Sequence, residues 1–260
     1  GDLDDTTRHV DAPPVRGALA APHASGHRGR AGAGAARAGL PHAALVHPHG
    51  DGGRDVVAVH PAAQRLAGAA VEVGAAALDA PVSGGVPRAR TGELTIMAGG
   101  VQADIDAAMP ILNALGNVIN TGAVGTGHAM KALNNLVSSA GFLIGIEALI
   151  IGSRFGIDPE TMVDVLNVST GMNNSTQKKF KQYVLSRKFD SGFAMSLMVK
   201  DLTIALGIAH ENNVNAPFAD LCRNLWSGAS AVLGPQADHT AVALLSEQLA
   251  GMQIGKASTP

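Results

Sequence analysis

This 260-residue chain has a single cysteine, Cys222, and so lacks a second one with which to form a disulfide within the chain. That excludes a disulfide framework and indicates a reducing compartment. An excess of positive charge is missing too, since the formal net charge is −2. Partners with dense negative charge, such as nucleic acids and acidic membranes, are therefore not expected. The start of the chain also lacks the basic and apolar regions of a signal peptide, so we predict a cytoplasmic protein.

A continuous apolar run long enough to span a membrane as a helix is absent as well. The most apolar stretch, residues 136–151, contains Glu147. A membrane-spanning helix needs about 20 apolar residues, so this shorter stretch predicts a buried helix of a globular protein.

Most kinds of large side chain are absent from the first part of the chain. Residues 1–50 contain no Ile, Met, Phe, Tyr or Trp, and no Lys, Asn, Gln or Glu. A segment with so few large apolar side chains cannot offset the entropy that it loses on ordering. We therefore predict that residues 1–54 form an atypical, poorly ordered segment that is mostly coil.

Two weak motifs occur in this first segment. Gly32 and Gly34 are spaced as in a dinucleotide-binding glycine pattern, but Arg37 stands at the third glycine position and no apolar strand comes before it. The histidines between residues 42 and 49 lack the helical spacing and the cysteine partners that are typical of a metal site. Neither a cofactor site nor a metal site is predicted here.

From residue 55 onward, strand and helix patterns alternate, and beyond Gly127 the pattern is helical throughout. This order predicts an α/β part over residues 55–124 and an all-helical part over 125–255, joined by a long linking helix. The predicted strands are 55–59, 75–82, 92–100 and 117–122. The predicted helices are 61–74, 101–116 with an interruption near Pro110, 128–156, one that starts after the N-cap Asp158, 195–212, 217–232 and 239–251.

The sequence DAPVSGG, residues 79–85, includes the end of a predicted strand and finishes with three residues that have small side chains or none. Its run of Ser83, Gly84 and Gly85 exposes several backbone N–H groups beside one hydroxyl, which suits a carboxylate or a phosphate. A plain strand-to-strand turn is the alternative that these residues alone leave open.

Two helical stretches place polar side chains among apolar ones. Lys131, Asn134 and Asn135 stand at positions i, i+3 and i+4, so they share one helix face near its start. Lys200 and Asp201 interrupt an otherwise apolar helix. Burying such groups without compensation is costly, so each stretch predicts a cleft or a polar partner. A solvated polar end of an amphipathic helix is the alternative for the first stretch.

The sequences DAPVSGG, TGELTIMAGG, GTGHAMKALNN and MVKDL occur in this order along the chain. Together they resemble the β-hydroxyacid dehydrogenase family, of the 3-hydroxyisobutyrate dehydrogenase type, over residues 56–251. The resemblance implies a Rossmann-like α/β domain, with an incomplete sheet in this chain, and an all-helical domain, with the site in the cleft between them. It also implies NAD or NADP as cofactor, a small hydroxyacid substrate, and a homo-oligomer that is a dimer or a tetramer.

The resemblance implies a role for the Ser-Gly-Gly run and for the first lysine. Ser83, Gly84 and Gly85 match the loop that binds the substrate carboxylate, through backbone N–H groups and the Ser83 hydroxyl. Lys131 matches the catalytic lysine, which exchanges a proton with the alcohol oxygen while hydride passes to the nicotinamide. Such a lysine must be neutral part of the time, and burial and a second cation would both lower its pKa.

Three further residues complete the implied site. Asn135 matches the catalytic amide beside the lysine, and Asn134 joins the substrate-binding residues. Lys200 matches a residue near the nicotinamide end of the cofactor. The resemblance implies no metal ligand.

One part of the family pattern is missing from the sequence. Family members begin with a βαβ unit that carries G-x-G-x-x-G, and residues 1–54 do not match it. We therefore predict that this segment does not form that half of the Rossmann domain, which predicts weak cofactor binding and an uncovered sheet edge. The alternative function is a non-catalytic helical remnant of the family that assembles through residues 125–251.

Overall fold

A computed structural model describes residues 44–45 and 59–255. The described strands are β1 (Ala44–Leu45), β2 (Ala77–Asp79), β3 (Val82–Ser83), β4 (Leu94–Gly100) and β5 (Gly116–Gly122). The described α-helices are α1 (Val59–Glu72), α2 (Gly85–Thr91), α3 (Gln102–Leu115), α4 (Thr126–Phe155), α5 (Pro159–Asn167), α6 (Asn174–Lys178), α7 (Met195–Glu211), α8 (Pro217–Leu233) and α9 (Val242–Ala250). A π-helix (Phe180–Leu185) precedes α7, and a 3₁₀-helix (His239–Ala241) precedes α9.

The predicted coil over residues 1–54 lies outside the described residues, apart from the two residues of β1. Residues 55–58 of the first predicted strand lie outside them as well, and Val59 is the first residue of α1 rather than the end of a strand. β1 pairs in parallel with β2, and α1 connects the two strands. This edge of β2 therefore has a partner, although a very short one.

The sheet has β4 as its central strand. β5 pairs with β4 in parallel on one side, whereas β2 and β3 both pair antiparallel on the other side. The chain from β2 to β3 is one predicted strand, broken at Ala80 and Pro81, and the Pro81 carbonyl still accepts a hydrogen bond from the backbone N–H of Met97. The direction of β4 follows from its connection, because the seven residues of α2 are too few for a parallel crossover.

The helix boundaries agree with the sequence pattern in most places. Asp158 caps α5 as predicted, since its side chain accepts a hydrogen bond from the backbone N–H of Thr161. The predicted interruption near Pro110 is wrong, because α3 continues through this residue. The π-helix and the two short helices α2 and α6 were not predicted from the sequence, because none of them is long enough to show a hydrophobic period.

The long helix α4 is the central element of the molecule. It packs against β4 and β5 near its start and against α5, α6, α7, α8 and α9 along its length. By length and composition alone α4 could also cross a membrane. Its side chains Phe142, Ile146 and Leu149, however, are fully buried in a core that also contains Phe180 and Trp226. A smaller core lies between the sheet and α3.

Cys222 lies in the helical core as a buried free thiol. Its thiol lies 3.5 Å from the Ser139 hydroxyl, and burial raises its pKa. A thiol of this kind is a poor nucleophile.

The last described turn is attached to the helical core by a buried ion pair. Arg187 Nη1 lies 2.5 Å from Glu247 Oε1, and the same carboxylate oxygen accepts a hydrogen bond from the backbone N–H of Ile254 at 2.8 Å. Arg187 also donates to the Ile254 carbonyl oxygen at 3.2 Å. The three groups connect the end of the π-helix, α9 and the C-terminal turn.

We predict that Glu247→Ala lowers the free energy of unfolding by about 3 kcal/mol or more, because it leaves the Arg187 charge partly buried without its partner. Urea denaturation measures the change. Glu211→Ala, at an exposed helix end, is the matched control and should change stability by no more than about 0.5 kcal/mol. Equal effects of the two substitutions would contradict a stabilising role for the buried pair.

Candidate active site

The Ser-Gly-Gly run connects a strand to a helix. Ser83 ends β3 and is half-buried, whereas Gly84 and Gly85 are exposed and lead into α2. Gly84 has φ 133° and Gly85 has φ 65°, values that favour glycine. A Cβ atom at Gly84 would also lie 2.7 Å from Cδ of Arg88. The alternative of a strand-to-strand turn is therefore wrong, and the two glycines present exposed backbone next to the Ser83 hydroxyl.

The face of α4 that carries Lys131, Asn134 and Asn135 turns toward α7. Asn134 Nδ2 donates to Asn135 Oδ1 at 3.2 Å, and Asn135 Nδ2 donates to Asp201 Oδ2 at 2.5 Å. Asn135 is 7% exposed and Asp201 is 5% exposed. The predicted alternative of a solvated helix end does not hold for this face, because the second amide is buried and bonded.

Asp201 is the residue that joins the predicted site residues of α4 and α7. Its Oδ1 lies 3.2 Å from Lys200 Nζ, while its Oδ2 accepts from Asn135. The polar partner that the sequence predicted for Lys200 is therefore Asp201, the next residue in the chain. The Lys200 side chain remains about two-fifths exposed. The sequence pointed to this carboxylate through its place in an apolar helix, but it did not identify its partner Asn135.

The environment of Lys131 lowers the pKa of its amine. Burial lowers the pKa of Lys131 below its ordinary value of 10.5. The Asp201 carboxylate raises this pKa, and the Lys200 ammonium lowers it further. The net direction is downward, as the resemblance implied, with burial as the largest cause.

Sequence reasoning missed Asp79, the buried carboxylate at the start of α4. It is 1% exposed and accepts from the backbone N–H groups of Gly125 at 2.6 Å and His128 at 2.7 Å. Its Oδ2 also lies 2.9 Å from His128 Nδ1. Asp79 thereby satisfies backbone donors at the helix N-terminus and attaches β2 to α4. The signal in the sequence was an aspartate inside a strand, a position where this residue is uncommon.

Two glycines allow this close approach. A Cβ atom at Gly99 of β4 would collide with Asp79 Oδ1 and lie 2.7 Å from the Ala123 carbonyl oxygen. A Cβ atom at Gly127 would collide with the Met97 carbonyl oxygen and lie 2.8 Å from Asp79 Oδ2. The chain from Asp79 to Ser83 is therefore held against the first turn of α4, four residues before Lys131.

The predicted residues thus fall into two groups. Asn135 and Lys200 contact Asp201, whose charge also acts on Lys131, and Asn134 bonds to Asn135. The Ser83 loop is attached to α4 through Asp79. In the part of the chain that the structure describes, Ser83 and Lys131 share no hydrogen bond, and the two groups are connected through α4, which Asp79 attaches to β2. The described residues also contain no cluster of three or more side chains that could hold a metal ion.

Comparison with known proteins shows the family to which this chain belongs. Residues 56–125 match a family model described as the NAD binding domain of 6-phosphogluconate dehydrogenase. Residues 125–246 match one described as NAD-binding of NADP-dependent 3-hydroxyisobutyrate dehydrogenase. The 2-(hydroxymethyl)glutarate dehydrogenase of Eubacterium barkeri is 34% identical over 202 residues, which cover 77% of this chain and 67% of that protein. The chain belongs to the β-hydroxyacid dehydrogenase family.

Two other members of the β-hydroxyacid dehydrogenase family show how much of a relative this chain spans. The mitochondrial 3-hydroxyisobutyrate dehydrogenase of Bos taurus is 39% identical over 149 residues, 55% of this chain and 44% of that protein. The structure of Mycobacterium tuberculosis 3-hydroxyisobutyrate dehydrogenase with L-serine has a TM-score of 0.66 at 27% identity, covering 72% of this chain and 66% of that one. The chain therefore spans about half to two thirds of these relatives, and the predicted fold class is confirmed.

We predict that Asp79→Ala lowers the free energy of unfolding by about 3 kcal/mol, since hydrogen bonds to a charged group contribute roughly 1.5–3 kcal/mol each and two buried N–H donors lose their acceptor. Denaturation in urea measures the loss. Asp158→Ala removes an exposed N-cap and is the matched control, with an expected loss of about 1 kcal/mol. A smaller loss for Asp79→Ala than for the control would show that Asp79 does not hold α4.

Proposed function

We propose that the chain is an NAD(P)-dependent oxidoreductase that transfers hydride between nicotinamide and the hydroxyl carbon of a small β-hydroxyacid of the 3-hydroxyisobutyrate kind. The observation that carries the proposal is the partly buried Lys131 with a lowered pKa, placed beside the buried Asp201–Asn135 pair. We further propose residues 55–124 and 125–255 as its two domains, a homo-oligomer, and the cytoplasm as its location.

The substrate carboxylate is assigned to the loop of Ser83, Gly84 and Gly85. The exposed glycine backbone lets an anion approach the main chain closely, and the Ser83 hydroxyl supplies a further donor. Because Asp79 attaches this segment to the start of α4, the bound carboxylate would be fixed relative to Lys131.

The proton is assigned to Lys131. In the direction of alcohol oxidation, the neutral amine removes the hydroxyl proton as hydride leaves the same carbon, and the ammonium returns it in the reverse direction. Asn135 cannot rotate freely, because its Nδ2 is bonded to Asp201. Its remaining N–H, together with Asn134, is available to orient the substrate.

The residues near Lys131 fit the nicotinamide end of a dinucleotide. Lys200 presents a partly exposed ammonium that Asp201 holds next to the proposed proton donor, and a polar donor of this type suits a carboxamide. When bound, the cofactor accepts or supplies the hydride. In the family, the glycine-rich loop that binds the pyrophosphate comes early in the chain. The corresponding part of this chain lies before residue 59, where only residues 44–45 are described.

Turnover and cofactor binding separate the two candidate functions. The full chain is titrated by calorimetry with NAD and NADP, and reduction of the cofactor is followed with a panel of small β-hydroxyacids. Binding of one cofactor and turnover of at least one hydroxyacid support the dehydrogenase. A folded chain that binds neither cofactor would instead be the non-catalytic remnant.

We predict that Lys131→Ala lowers turnover by roughly 10²–10⁴, the usual range for losing a general acid–base group, with little change in melting temperature. Initial rates at saturating hydroxyacid measure the effect. Lys188→Ala, an exposed lysine after the π-helix, is the control and should retain the wild-type rate. Near-normal turnover of Lys131→Ala would remove the lysine from the mechanism.

The pH dependence of oxidation supplies a second prediction. Oxidation needs neutral Lys131, so its rate should rise with pH through the pKa of Lys131, below 10.5. Asp201→Asn removes a charge that raises this pKa, so the inflection should move to lower pH. Lys200→Gln removes a charge that lowers it, so the inflection should move to higher pH. Shifts in the same direction for both variants, or no shifts, would show that Lys131 is not the group that titrates.

A further inference from the structure

The helix α2 carries positive charge on the surface, next to the Ser83 loop. Every residue of α2 is exposed, from Gly85 to Thr91. Its two charged residues, Arg88 and Arg90, are both basic. Packing in the core therefore does not account for the position of Arg88, and its guanidinium is accessible to a group from outside the chain.

The stem of Arg88 lies across Gly84, the middle residue of the Ser-Gly-Gly run. A Cβ atom at Gly84 would lie 2.8 Å from Cβ, 3.3 Å from Cγ and 2.7 Å from Cδ of Arg88. The terminal nitrogens of the guanidinium follow Cδ by three bonds of about 1.3–1.5 Å each, so they lie within about 4 Å of it. The positive charge is therefore a neighbour of the loop to which the substrate carboxylate is assigned.

The charge of Arg88 is not neutralised by its surroundings. Among the described residues, the Arg88 side chain takes part in no ion pair and no hydrogen bond. Its backbone carbonyl oxygen accepts hydrogen bonds from Thr91 Oγ1 and from the backbone N–H of Glu93. The carboxylate of Glu93, the nearest acid along the chain, accepts from the Thr91 hydroxyl at 2.8 Å instead. The guanidinium thus lacks an anionic partner within this part of the chain.

A second carboxylate of the substrate fits this guanidinium better than the first one does. The bidentate pair that a guanidinium prefers uses both oxygens of its partner, and the loop donors compete for these oxygens on the first carboxylate. The terminal nitrogens of Arg88 extend up to about 4 Å beyond Cδ. Two carboxyl carbons that are joined by three C–C bonds of about 1.5 Å are separated by roughly the same distance.

We propose that the substrate is a β-hydroxyacid with two carboxylates, the first bound at the Ser83 loop and the second by the guanidinium of Arg88. This proposal rests on the proposed dehydrogenase function and adds the substrate class. Arg88 binds the substrate and takes no part in proton or hydride transfer. Its effect should therefore appear in affinity and KM rather than in kcat.

Calorimetry of the full chain with NAD or NADP present tests the substrate class with three matched acids. They are 3-hydroxyisobutyrate, 2-(hydroxymethyl)succinate, which adds a carboxylate to its methyl group, and the monoamide in which that added carboxylate is a neutral carboxamide. The dicarboxylic acid should bind roughly tenfold more tightly than the other two, because a hydrogen bond between charged groups is stronger than a neutral one. Equal affinities, or no binding of the dicarboxylic acid, would overturn the proposal.

Substitutions on α2 test whether Arg88 is the residue that binds the second carboxylate. Arg88→Gln should abolish the preference for the dicarboxylic acid and leave the affinity for 3-hydroxyisobutyrate unchanged, whereas Arg88→Lys should keep part of the preference. Arg90→Gln, about 200° around the helix from Arg88, is the matched control and should keep all of it. A preference that survives Arg88→Gln, or an equal loss of affinity for all three acids, would overturn the assignment. Circular dichroism confirms that each variant is folded.

Binding and turnover together separate this assignment from the proposed reaction. Tight binding of the dicarboxylic acid that depends on Arg88, without reduction of the cofactor, would support the second binding group and contradict the dehydrogenase. Reduction of the cofactor by 3-hydroxyisobutyrate, without any preference for the dicarboxylic acid, would support the dehydrogenase and overturn the role of Arg88.

Discussion

The buried carboxylate of Asp79 is the constraint on which the arrangement of this site depends. A charge that is 1% exposed must be neutralised by donors, and it finds them in the two backbone N–H groups and the ring of the first turn of α4. The helix dipole adds to the same attraction. Because the acceptor belongs to β2 and the donors belong to α4, this interaction fixes the sheet against the helix. Gly99 and Gly127 are small because the contact leaves no room for a Cβ atom.

The second carboxylate, Asp201, performs the corresponding task between α4 and α7. It holds the Asn135 amide and the Lys200 ammonium, and its charge acts on Lys131. The two carboxylates lie at different levels of α4, one at its N-cap Gly125 and one about three turns later, at Asn135. Lys131 lies between these two levels. The helix α4 that carries Lys131 is therefore bonded to β2 on one side of it and to α7 on the other.

The sequence predicted much of this fold because long apolar helices and their caps depend on local residues. The bounds of α4 and the N-cap Asp158 agree with expectation. The role of Asp79 could not be predicted, because its donors at Gly125 and His128 are far away along the chain. The pairing of Asn135 with Asp201 could not be predicted either, because the two residues are far apart along the chain. The Ser-Gly-Gly run lies at the end of a strand, as predicted, but the helix α2 that follows was too short to leave a hydrophobic period. The proline predicted an interruption near residue 110, but α3 continues through it. Features predicted before residue 59 lie outside the described residues, except at Ala44–Leu45, where the structure has the short strand β1 instead of coil.

The most direct test of the account is the affinity of the chain for a small β-hydroxyacid, measured by calorimetry with NAD or NADP present, for the wild type and for Asp79→Asn. The substitution keeps the shape of the side chain but removes its charge, and it touches neither the Ser83 loop nor Lys131 directly. If Asp79 holds the two groups of the site together, the folded variant should bind the hydroxyacid roughly tenfold more weakly or worse, a loss of about 1.4 kcal/mol. Unchanged hydroxyacid affinity in a folded Asp79→Asn variant would contradict the account.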